Sequence, residues 1–135
     1  DVSRVQNEGK IKFFMELAGE SGPRIAEILT DNCIFDPHEA AQRWLSYFKN
    51  NVRLPLPVVV EDPDYRKIFK SGAIARIASF DVADSDQGIW LTLVYNTKKL
   101  DFQLYNLKTL SADSPYAQLL EDYKVWFDAL DIFWQ

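Results

Sequence analysis

Along the chain the spacing of apolar positions changes from helical to extended and back to helical. Ile11, Phe14, Met15 and Ala18 recur every three or four positions, which predicts an amphipathic helix from Val5 to about Ala18, ended by the Gly19–Gly22 region. Pro23 restarts the chain, Arg24 to Leu29 predicts a second short helix, and Thr30–Phe35 reads as its exit loop. Asp36, Pro37 and Glu39 then supply an N-cap acceptor, a proline at the first helical position and a reciprocal glutamate. The helix they open carries Ala41, Trp44, Leu45, Phe48 and Val52 on one face, with Arg43, Ser46, Lys49 and Asn50 on the other, and must end before Pro55.

Beyond that point Pro55 and Pro57 preclude a regular helix through LPLPVVV, so Val58 to Val60 is expected as an edge or entry strand. Residues 73–82 and 89–95 predict two more strands, the second apolar on both faces and therefore central. Leu100, Phe102 and Leu104 alternate with Asp101, Gln103 and Tyr105, predicting a half-buried strand after the short loop NTKK. The helical period then returns in Tyr116, Leu119, Tyr123, Trp126, Leu130 and Phe133, starting near Ser114 and Pro115, and such a stripe must cover a sheet. The expectation is one α+β domain over 1–135: a helical extension (1–35), a helix (36–53), a small antiparallel SH3-like meander or half barrel (54–106) and a closing helix (114–133).

Composition supports that size of fold. A chain of 135 residues, 47% apolar and 14% aromatic, has enough to bury about two-thirds of its unfolded surface around one core. A net charge of −5 repels nucleic acid and acidic membranes and favours cations or a basic partner. The lone Cys33 excludes an internal disulfide and any zinc site built on two cysteines, which suits a reducing compartment. No apolar run reaches the roughly 20 residues of a membrane span, and the first residues lack a signal-peptide core, so no membrane partner and a cytoplasmic location are expected.

The candidate chemistry is acidic. In DVADSDQG, residues 81–88, Asp81, Asp84 and Asp86 stand without a Lys or Arg among them. With Asp84 as first ligand, Asp86 takes the third place of an EF-hand loop, but glycine falls at the fifth and Tyr95 replaces the twelfth-position glutamate, so this is no EF-hand. Two readings remain: a tight turn gathering several hard oxygens for calcium, or the ordinary Asp-Ser-Gly composition of a hairpin turn, which the spacing favours. Glu61, Asp62 and Asp64 form a second acidic group before the basic run Arg66–Lys70; as a solvated turn they lie near those cations, and together with the first group they could draw a divalent ion if the two turns converge. His38 and Cys33 are the only nucleophile–base candidates, without an orienting partner or oxyanion donor, and no phosphate loop, GxSxG or HExxH occurs, so no enzyme is expected.

Three features in order resemble the cyanobacterial calcium-binding protein family CcbP: Trp44 and Tyr47 running into LPLP at 54–57; a meander with Gly72, WLTLVY and LDFQLYNL; and a closing helix with EDYKVWF at 121–127. The resemblance spans roughly residues 36–130 and implies a small acidic domain with an SH3-like sheet that binds calcium without EF-hands. It assigns no ligands, because the matching positions are packing residues. A calcium buffer or sensor using carboxylates on sheet turns stands beside a metal-free interaction module, such as an adaptor or acidic inhibitor of a basic partner.

Overall fold

The computed structural model describes residues 2–30, 33–61, 69 and 72–133. Three helices come first, α1 (Val2–Ala18), α2 (Ser21–Leu29) and α3 (Pro37–Asn51). The strands β1 (Leu56–Val60), β2 (Ile74–Asp84), β3 (Gly88–Tyr95) and β4 (Lys98–Gln103) follow, then one 3-10 turn (Leu104–Asn106), β5 (Leu107–Thr109) and α4 (Ala117–Phe133).

Gly19, at φ 59, ends α1, and Pro23 falls inside the first turn of α2, where its missing N–H is not needed. At the start of α3 the cap and the proline are as expected: Asp36 is extended, and its Oδ1 accepts from the Glu39 amide at 3.1 Å. The glutamate is not reciprocal: the Asp36 N–H donates to the Cys33 carbonyl, and the Glu39 carboxylate pairs with Arg43. Ala40, Ala41, Trp44, Leu45 and Phe48 form the buried face of α3.

The five strands make one antiparallel sheet in the order β4-β3-β2-β1-β5. β1 to β4 form a meander, after which β5 returns to pair with β1 through Val58↔Thr109 and Val60↔Leu107. Two expectations are corrected here. β1 is not an edge strand, since β2 and β5 flank it. Its Val60 N–H bonds back towards β2 and the Glu61 N–H towards the β5 side, so by alternation the Pro57 nitrogen faces the β5 side, beyond the last β5 pair, and interrupts no ladder. The sheet also runs past residue 106, because the three-residue β5 is too short to show a period. The expected strand at 100–105 begins and ends two residues earlier, and the 3-10 turn takes its tail.

β2 carries two bulges. Its partners step from Ile77↔Leu93 to Ser79↔Thr92 and from Phe80↔Leu91 to Val82↔Trp90, leaving Ala78 and Asp81 as extra residues. Each bulge puts two successive side chains outward while Ala75, Ile77 and Phe80 stay in the core.

The inner face of the sheet is covered by α3 and α4. Trp44 lies 5.5 Å edge-on from Tyr123 and 5.9 Å from Trp126, and Phe48 packs 5.3 Å from Phe80, measured between ring centres. Trp126 is buried, and its indole N–H donates to the Ile34 carbonyl. The buried line on α4 runs through Leu120, Tyr123, Trp126 and Ala129, while Tyr116, Leu119 and Leu130 are half-buried. Asp122 is also buried on α4: its carboxylate accepts from Arg24 Nε (2.8 Å) and Nη2 (3.1 Å) and from Gln118 Nε2 (3.0 Å), which fastens α2 to α4. Ile25 and Leu29 of α2 are fully buried in the same core.

Candidate functional site

The acidic stretch 81–88 is the hairpin joining β2 to β3. Asp84 closes β2 opposite Gly88, and its Oδ1 accepts from the Asp86 amide at 2.7 Å and the Gln87 amide at 2.9 Å. Such a side-chain-to-backbone turn is what Asp contributes to tight loops. Gly88 has φ 76, a conformation glycine adopts without penalty, and a Cβ there would stand 2.1 Å from the Tyr123 hydroxyl. That hydroxyl accepts the Ile89 N–H at 2.9 Å, and burial pushes the Tyr123 pKa upward. The turn therefore rests directly on α4.

Asp81, the second bulge residue, is held by two hydroxyls. Ser79 Oγ donates to its Oδ1 at 2.6 Å, and Thr92 Oγ1, across on β3, donates to its Oδ2 at 2.7 Å. Asp101 on β4 pairs with Thr92 from the other side and so shares that outer face. Ser79, Thr92 and Asp101 were not legible as neighbours of Asp81 in the sequence, because both bulges must be known before the rows can be aligned. Asp86 is exposed, and beyond the amide bond to Asp84 its carboxylate makes no hydrogen bond or ion pair among the described residues. Nearby, Trp90 Nε1 donates to the Gln87 side chain at 3.2 Å.

Glu61, the described member of the second acidic group, does not approach the hairpin. Glu61 follows the end of β1, which lies against the start of β2, whereas Asp84 closes β2 at its other end. Glu61 is paired with Lys124 of α4 at 3.4 Å. Asp62 and Asp64 lie outside the described residues, as does the run 66–68 beside them. His38 is exposed in the first turn of α3, and Cys33 is buried.

Calcium takes six to eight oxygens at roughly 2.3–2.6 Å. The oxygen donors of the hairpin suit it chemically, but among the described residues no three carboxylate, imidazole or thiol groups are gathered as a metal cage. One Asp84 oxygen is engaged by its own turn, and both Asp81 oxygens by hydroxyls. None of Asp81, Asp84, Asp86 and Asp101 has a Lys or Arg partner among the described residues, in contrast to Asp122, Glu61 and Glu39. No described helix is long and apolar enough to cross a membrane.

Neither the curated proteins nor the solved structures gave a match. A family model, Calci_bind_CcbP, described as calcium binding, matches residues 24–127, from the arginine that fastens α2 to α4 through the whole sheet to Phe127 beneath the acidic turn. With most of its length matched, the chain belongs to the CcbP calcium-binding family.

Proposed function

We propose that this protein binds calcium at the β2–β3 hairpin, with Asp84 and Asp86 as the carboxylate donors and Asp81 behind them, and acts as a calcium buffer or sensor rather than an enzyme. The observation that carries the reading is uncompensated charge: among the described residues the hairpin carboxylates make no ion pair, while Glu61 is paired with Lys124. Membership of a calcium-binding family and an all-oxygen donor set support it. Asp62 and Asp64, with Glu61, are the second candidate group. An SH3-like half barrel is supported by the 3-10 turn after β4 and by the return of β5 to β1. A role as an interaction module draws on the exposed outer sheet face, where Ile74 is 61% and Val82 58% accessible.

Calorimetric titration of chelator-treated protein with calcium should give a saturable heat. Changing Asp84 and Asp86 together to Asn should weaken binding by roughly tenfold or more, because affinity follows ligand charge. The fold should persist, since an asparagine carbonyl still accepts the two turn amides. An unchanged affinity would move the site to Glu61, Asp62 and Asp64, and no heat from the unaltered protein would remove the calcium reading altogether.

A further inference from the structure

We propose that the outer face of the sheet docks a second copy of this chain, forming a weak two-fold dimer. The strand register sorts this face into rows. Lys108, Val59 and Ile74 form one, and Pro57, Arg76, Val94 and Lys99 the next. Ser79, Thr92 and Asp101 form a third, followed by Val82, Trp90 and Gln103, and the Asp84–Asp86 turn closes that end. Directly opposed residues share a face, and Arg76, Lys99, Asp101 and Lys108 are all exposed. The helices pack on the other side of the sheet, against Ile77, Phe80, Leu91 and Leu93.

Among the described residues the charges on this face are segregated. Arg76, Lys99 and Lys108 lie towards one end, while Asp81, Asp101, Asp84 and Asp86 lie towards the other. None of these seven makes an ion pair among the described residues. Val82, Trp90, Val94, Ile74 and Val59 supply apolar surface between and beside them. A two-fold axis lying in the interface and running across the strands turns the face over and reverses its strands. The basic end of each copy then meets the acidic end of the other, and each such contact occurs twice. An axis along the strands would instead place like charges together, so the charge pattern selects one geometry. Five strands about 4.8 Å apart and some 20 Å long offer on the order of 400–500 Å² per copy, against about 800 Å² in a standard interface. The dimer is accordingly weak, reversible and salt-sensitive.

Sedimentation equilibrium in low salt, with chelator present throughout so that the result is independent of calcium, tests this. The mean mass should climb from 15.6 kDa towards twice that value as concentration rises, and fall back on adding salt. Arg76→Glu with Lys99→Glu should be monomeric, as should Asp86→Lys with Asp101→Lys, circular dichroism confirming that both fold. Mixing the two variants in equal amounts should restore the dimer, because each reversed end then meets its complement. A wild type that stays monomeric to about 1 mM, reversals that leave association unchanged, or a mixture that stays monomeric would each overturn the proposal.

Discussion

The Tyr123 hydroxyl leaves no room for a side chain at Gly88 in the candidate site. Gly88 needs both a positive φ and an absent side chain, so Gly88→Ala should cost about 2–4 kcal/mol in denaturant unfolding, combining a left-handed backbone penalty with overpacking. Tyr123→Phe removes the oxygen that the Cβ would strike but strands the buried Ile89 N–H, at about 1–3 kcal/mol. The double variant should therefore cost less than the sum of the two, and strict additivity would show that the clash is relieved elsewhere. Tyr105 offers a pH signature. Its hydroxyl donates to Asp128 at 2.5 Å, and that bond, with some burial and the charge of Asp128, pushes its pKa from 10.0 up to about 12. The folded state thus holds this proton more tightly than the unfolded chain. The contribution is complete below pH 10 and lost as pH rises towards 12. Tyr105→Phe should flatten that part of the alkaline stability profile, measured by urea midpoints across the range.

At the scale of elements, the helices were the readable part. Asp36, Pro37 and Glu39 announce α3 because a cap is a local device, completed within one turn. The tertiary links were unreadable for the converse reason. Asp122 looks like any polar residue of an amphipathic helix until Arg24, 98 positions away, is seen to grip it. The half-buried Leu119 and Leu130 likewise follow from the direction in which α4 meets the sheet, which periodicity leaves open. The acidic turn was visible as composition, but its rows were not, since two bulges in β2 displace the alternation that a strand pattern assumes. The Arg24–Asp122 link predicts an asymmetry. Arg24→Met leaves a buried carboxylate with only Gln118, whereas Asp122→Asn leaves a half-exposed guanidinium that water can reach. Thermal melts should fall further for Arg24→Met; the reverse order would mean that Arg24 holds α2 chiefly by its aliphatic stem.

On the scale of the whole molecule, α3 and α4 hold one face of a sheet whose other face, among the described residues, is exposed and sorted by charge. The acidic turn sits on α4 through Tyr123, so the candidate calcium site is anchored to the core rather than carried on a free loop. The separation of basic and acidic ends has a kinetic meaning for a diffusing ion. It makes the sheet an electric dipole with its negative pole at the Asp84–Asp86 turn, so an approaching divalent cation is drawn to one end and repelled from the other. Arg76→Glu with Lys99→Glu, remote from the turn, should therefore speed calcium capture in stopped-flow measurements near 10 mM salt, where the screening length is about 30 Å. The gain should vanish near 1 M salt, where that length falls to about 3 Å. Capture rate then becomes a property written by residues that never touch the ion.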